Sequence, residues 1–247
     1  MVESVDYTKD FAEGFAKTSV GSVRFMHHEG AGKKLLFLHG VGGSTLSWKK
    51  LFTMIPEGYD VTAIDLLGHG GSDAPDVVYT IPMQVQAVEE LLIEWEWEGY
   101  IIGHSYGGWI AAVYAARFRR AEGIVLIDAM GMDRIFLDMK DRGTEQKEKD
   151  GLFARVMQIN TNRDHVIRSI VYGDHSGEWL SKETFVGFGC RTLIIWGTDD
   201  NEIDYSYGKY LSELIPKSDI VGIDKAGHSP FFTKSERCWE LIENFVK

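Results

Sequence analysis

Covalent staples are scarce in this chain. Among its 247 residues only two are cysteines, Cys190 and Cys238, far apart and without a C-x-x-C pair. That spacing favours two free thiols in a reducing compartment over a disulfide. A chain of this length buries enough apolar surface to need no staple. There are five prolines and no low-complexity linker. No apolar run reaches the ~20 residues that a membrane-spanning helix needs. The first ten residues, MVESVDYTKD, are acidic and polar and do not read as a secretory signal. These absences set the expectation of a cytoplasmic protein with no membrane partner. Positive charge is also in deficit, with 26 Lys+Arg against 37 Asp+Glu and a net charge of −11. Nucleic-acid binding calls for a basic surface, so no nucleic-acid partner is expected. The acidic excess reads as a solubility device.

What the chain does contain is an alternation of short apolar runs and helical stretches, the α/β pattern. Apolar runs occur at 34–38, 61–64, 100–102, 124–127, 193–196 and 220–223. Continuous runs of this length suggest parallel strands buried on both faces. Helical spacing marks 83–97, with Pro82 in its first turn, and also 109–118 and 231–246. The first thirty residues suit an antiparallel edge with a hairpin at Gly21-Ser22. Residues 130–188 break the rhythm. They contain no strong buried strand, and 133–150 is dense in both signs of charge. We read this stretch as a helical insertion whose charged part is a solvated face.

The chemistry concentrates at YIIGHSYGG, residues 100–108. Gly103-His104-Ser105-Tyr106-Gly107 is a G-x-S-x-G between a strand and an Ala-rich helix, which suits a nucleophilic serine on a tight turn. The flanking glycines remove Cβ atoms that would crowd that turn. The helix N-terminus favours developing negative charge. A serine needs a histidine base, and the histidine needs a carboxylate to orient it. Of the eight histidines, His228 in AGHSP follows the last apolar run and is the candidate base. His104 and His69 sit in Gly-rich turns and are expected to bond backbone there, while His39 is expected to orient a loop. His27, His28, His165 and His175 default to surface or cap positions. For the acid, LIIWGTDD points to Asp200, with Asp199 and Asp128 as rivals and Asp224 a weaker one. Asp65 is expected to fix the DLLGHGGS loop. The Gly-rich loop HGVGGS after the first long apolar run suggests an oxyanion hole made by the Val41 and Tyr106 amides. A phosphate loop would need G-K-[ST] or G-x-G-x-x-G spacing, which this cluster lacks.

HGVGGS, DLLGHGGSD, GHSYGG, WGTDD and AGHSP, in that order, resemble an α/β-hydrolase-fold serine hydrolase of the carboxylesterase and meta-cleavage-product hydrolase group. The chain order Ser105, Asp200, His228 matches that fold. The resemblance implies a mostly parallel twisted sheet with helices on both faces. It also implies a core of residues 1–129 and 189–247 under a helical cap of 130–188. It implies a carboxylesterase cleaving small or medium neutral esters through an acyl-enzyme, with no metal and no organic cofactor. Trp109, Phe136, Leu137, Phe153 and Trp179 are candidate substrate-binding residues. The partner is a small-molecule ester, and the chain is a monomer or small homo-oligomer. The serine sets it apart from haloalkane dehalogenases and epoxide hydrolases, which use aspartate. A meta-cleavage type C–C hydrolase would carry a tryptophan after the histidine, where this chain has Ser-Pro-Phe-Phe. Its cap arginine could be Arg155, Arg163 or Arg168. A ligand-binding receptor of the same fold is the remaining alternative.

Overall fold

The computed structural model describes Asp6 and residues 10–118, 120–159 and 163–247. Apart from Asp6 and Asp10, the acidic N-terminal stretch lies outside these residues. Eight strands form one sheet: β1 (Ala12–Lys17), β2 (Ser22–His28), β3 (Lys34–Leu38), β4 (Asp60–Ile64), β5 (Tyr100–His104), β6 (Gly123–Ile127), β7 (Arg191–Gly197) and β8 (Ser218–Ile223). Their order across the sheet is β1-β2-β4-β3-β5-β6-β7-β8. β1 and β2 are antiparallel to their neighbours, and the other pairs are parallel. The helices are α1 (Lys49–Phe52), α2 (Ile81–Glu94), α3 (Tyr106–Phe118), α4 (Asp133–Asp141), α5 (Glu145–Ile159), α6 (Asp164–Tyr172), α7 (Tyr205–Leu214), α8 (Pro230–Thr233) and α9 (Ser235–Val246).

The apolar runs are strands because both faces of the sheet are covered. Leu36, Leu38, Ile101, Leu126, Ile194 and Trp196 point into one core with α2, α3 and α7. Leu35, Phe37, Ile102, Val125, Ile127 and Ile195 point into the other with α1 and α9. Alternate residues thus serve opposite cores, so the run shows no polar side.

The structure shifts four sequence readings. The edge hairpin turns through Thr18–Gly21, because Ser22 already pairs with Lys17 in the ladder. Thr18 N–H donates to the Gly21 carbonyl at 2.9 Å to close that turn. Helix α2 begins at Ile81, capped by the Thr80 hydroxyl, which accepts from Met83 N–H, and it stops at Glu94. Helix α3 starts at Tyr106, three residues before the expected point. The last helix is broken at Lys234, whose φ of −134° is not helical. The two cysteines are free.

Between β6 and β7 the chain runs through α4, α5 and α6. Soon after leaving β6 the chain runs beside its own return after α6, with Met132 bridged to Leu180 and Leu180 N–H donating to the Gly131 carbonyl at 2.7 Å. Among the described residues no helix is long and apolar enough to cross a membrane.

Candidate active site

Strand β5 ends at His104 and α3 begins at Tyr106, so Ser105 alone makes the reversal. Its φ is 49°, in the left-handed region that costs a non-glycine residue strain. The surroundings hold it there. Ser105 N–H donates to the Ile127 carbonyl at 3.0 Å, and the Ser105 carbonyl accepts from Met130 and Trp109 N–H, each at 3.1 Å. A Cβ at position 103 would run into the Gly107 carbonyl, and one at 107 into the Leu38 carbonyl. Only glycine allows β3, the turn and α3 to approach this closely.

The loop after β7 carries Asp200, and the loop after β8 carries His228. Their side chains meet, with His228 Nδ1 and Asp200 Oδ2 2.8 Å apart. The other Asp200 oxygen accepts from Glu202 N–H at 2.8 Å and Ile203 N–H at 3.0 Å. Burial pulls the His228 pKa down, but the hydrogen bond to Asp200 and its charge outweigh that and raise it above the ordinary histidine value. His104, neutral because burial holds its pKa well down, donates from Nε2 to the His228 carbonyl at 2.7 Å. Of the rival carboxylates, Asp199 and Asp224 are exposed. Asp128 is buried at the end of β6. Its Oδ1 accepts from Gly197 N–H at 2.8 Å, while Oδ2 has no partner among the described residues. Burial pushes its pKa up to about 8. His104, Asp128 and His228 each bring a ligand-type atom within 4.8 Å of the others. One nitrogen of each imidazole is already committed, to a carbonyl and to Asp200, so the trio reads as a hydrogen-bonding cluster rather than a metal centre.

The loop after β3 passes beside the serine: a Cβ on Gly40 would sit 3.3 Å from Ser105 Cβ. His39 shapes this loop. Its Nε2 accepts from Leu66 N–H at 3.0 Å, which leaves Nδ1 to donate to the Gly40 carbonyl at 2.7 Å. Burial lowers the His39 pKa and keeps the ring neutral, as this pattern requires. The Gly40 carbonyl also accepts from Gly43 N–H at 3.0 Å. Among the described residues neither Val41 N–H nor Tyr106 N–H has a hydrogen-bond partner. Asp65 ties down the neighbouring loop by accepting from Thr45 N–H and Gly71 N–H.

Val41, Ser105, Asp200 and His228 line one cavity of about 1650 Å³. The Ser105 hydroxyl makes no hydrogen bond to the imidazole in this structure. Phe136, Leu137 and Trp179 line the same cavity, with the Phe136 and Trp179 rings stacked at 4.9 Å. Trp109 and Phe153 do not line it, which corrects the sequence reading. Trp109 is fully buried against Gly131 and donates Nε1–H to the Glu178 carbonyl at 2.9 Å. Phe153 packs on Tyr172 and under the Arg168 guanidinium. Tyr106 turns its ring into the core. Sequence reasoning missed Met139, Val156, Ile203 and Phe231 in the lining, because a residue on an amphipathic helix gives no sign of whether it meets a core or a cavity. His175, expected at a surface or cap position, takes the cap role at the last turn of α6 and not a surface one. The residue is buried, with its ring nitrogens against Glu178 Oε2 and the Ile170 carbonyl, each at 2.9 Å. Of the three arginines, Arg155 reaches the cavity and pairs with Glu202 at 3.3 Å. Arg163 donates to the Ser72 and Gly70 carbonyls, and Arg168 pairs with Asp164.

A family model described as "Alpha/beta hydrolase family" matches residues 35–241. The AB hydrolase superfamily protein YisY of Bacillus subtilis is 26% identical and aligns over 94% of this chain and 98% of its own. Lipase 3 of a Moraxella species is 23% identical over 81% of this chain and 72% of its own. The crystal structure of esterase RhEst1 from a Rhodococcus species superposes with a TM-score of 0.76 at 24% identity, covering 96% of this chain and 98% of that one. At such identity the superposition shows the shared fold.

Proposed function

Given that the chain belongs to the alpha/beta hydrolase family, we propose that it is a serine carboxylesterase cleaving small or medium neutral esters. One observation carries the reading. Ser105, on its left-handed turn, opens into the same cavity as the Asp200–His228 pair. In this mechanism His228 Nε2 takes the Ser105 hydroxyl proton as Oγ bonds to the ester carbonyl carbon. The Val41 and Tyr106 amides, without hydrogen-bond partners among the described residues, receive the oxyanion. The tetrahedral intermediate collapses, the C–O bond to the alcohol breaks, and Nε2 returns its proton to the departing oxygen. Water, deprotonated by the same imidazole, then adds to the acyl carbon, the acyl–Oγ bond breaks, and Nε2 returns its proton to Ser105 Oγ as the acid leaves. Asp200 holds the tautomer and stabilises the imidazolium. Every step uses side chains and backbone of this chain, so the reading needs no cofactor.

We take 130–188 as a cap over the core, with Phe136, Leu137 and Trp179 receiving the acyl or alkyl part. Their apolar surface is the reason for favouring neutral esters. Two free thiols and an acidic surface suit a small-molecule enzyme of the cytoplasm.

The test is hydrolysis of p-nitrophenyl esters of increasing chain length by the wild type and by Ser105→Ala. The wild type should turn over, and the variant should lose three or more orders of magnitude, since losses near 10⁶ follow removal of a triad serine. Folded protein that cleaves no ester would displace this reading in favour of C–C bond hydrolysis, with Arg155 as the cap arginine.

A further inference from the structure

We propose that helix α5 is part of the catalytic apparatus as well as a wall of the cavity, with Val156 the positioning residue for the loop that carries the Val41 amide. The proposal rests on the serine-hydrolase reading above. Gly42 has a φ of +73°, and a Cβ there would overlap Val156 Cγ1. A Val156 methyl therefore lies directly on the backbone one residue beyond the Val41 amide. Val156 is buried in a small cluster with Ile167 and Val171. Val41 packs against this cluster on one side and against the main core on the other. From the sheet side, His39 Nδ1–H and Gly43 N–H already fix the Gly40 carbonyl. The turn is thus gripped from below by the core and from above by α5.

The preceding residue on the same helix reaches the other half of the site. Arg155 pairs with Glu202 at 3.3 Å, and Glu202 N–H donates to Asp200 Oδ1 at 2.8 Å. That ion pair is exposed and so contributes little. The Val156 side chain is buried and lies directly against the Gly42 backbone, so it sets the geometry. An oxyanion forms only as the carbonyl is attacked, and its donors must lie 2.7–3.1 Å from it. Loosening the grip on the turn therefore weakens transition-state binding and leaves ester binding largely alone.

The experiment compares wild type, Val156→Ala, Val156→Leu and Val156→Ile on one p-nitrophenyl ester, well below each Tm. Inhibition by a trifluoromethyl ketone is measured alongside, because its serine adduct places an oxyanion in the hole. Val156→Ala is expected to lose about tenfold or more in kcat, with KM within about threefold and the inhibition constant rising in parallel with the kcat loss. Val156→Leu retains apolar bulk but moves the branch off Gly42, and it should show the same losses even if the alanine variant does not fold. Val156→Ile keeps the β-branch and should restore near-wild-type values. A lowered Tm with unchanged kcat and inhibition constant overturns the proposal. So does a rise in KM alone, which would make Val156 a substrate contact. A wild type that neither cleaves esters nor binds the ketone instead overturns the underlying serine-hydrolase reading.

Discussion

His228 stands between two opposed influences. Burial disfavours its imidazolium, whereas Asp200 accepts a hydrogen bond from its Nδ1–H and carries the opposite charge, and the pair of effects from Asp200 wins. A general base must be neutral, so ester hydrolysis should rise with pH through a midpoint above the ordinary 6.5. Asp200→Asn removes the charge, and it should lower that midpoint and cut kcat by about 10⁴. A pH–rate profile of both proteins checks this, and a wild-type midpoint below 6.5 would contradict the pairing. The stability sign runs the other way. A histidine raised by its partner stabilises the fold fully below the unfolded value, and that contribution is lost as pH rises through the folded pKa. The pair therefore holds the fold best in acid, where the base is protonated and idle. At this scale the tight turn at Ser105 and the placing of His228 on the loop after the last strand were legible, because glycines and chain order frame them. The sequence also points to Asp200 as the partner of His228, but it leaves Asp199 as a rival, because only the path of the loop decides which of the two neighbours turns inward.

The strand–turn–helix element around Ser105 depends on missing side chains. In Gly107→Ala the new methyl would meet the Leu38 and His39 carbonyl oxygens, both backbone and unable to yield. We expect a loss of about 3 kcal/mol, seen as a fall in Tm on the order of 5–10 °C, together with loss of activity. Gly58→Ala is the control, because a Cβ there meets nothing within 4 Å. Thermal unfolding of the two variants decides the matter, and equal Tm values would refute the packing argument. The core strands were readable since burial on both faces removes polar residues from the run. The start of α3 was hidden by Gly107 and Gly108, which look unlike helix but are required by the close approach of the sheet. Trp109 was misread for a related reason: the helix buries it against Gly131, and an aromatic at helical spacing does not say which neighbour it meets.

For the molecule as a whole, stability should carry the signature of Asp128. Its pKa is raised to about 8 in the fold against 3.8 as the ordinary value. Between those values the unfolded chain is ionised there and the folded one is not, so stability falls as pH rises from about 4 to about 8. Asp128→Asn keeps an acceptor for Gly197 N–H and removes this cost. It should stabilise the protein by on the order of a few kcal/mol at pH 8 and by little at pH 4. Denaturant unfolding across that range tests it, and a difference independent of pH would show that Asp128 is ionised throughout. None of this was visible in the composition, which gives net charge but not which carboxylate is buried.

The bridge between Met132 and Leu180 makes the two ends of the segment 132–180 neighbours. A segment whose ends already touch can be lengthened or traded at little cost in loop-closure entropy. Such an exchange would alter which molecules the cavity admits and leave the strands as they are. One condition attaches to it under the proposal for Val156. An incoming segment must bring its own side chain to bear on the Gly42 turn, or the descendant gains a new specificity with a disabled catalyst.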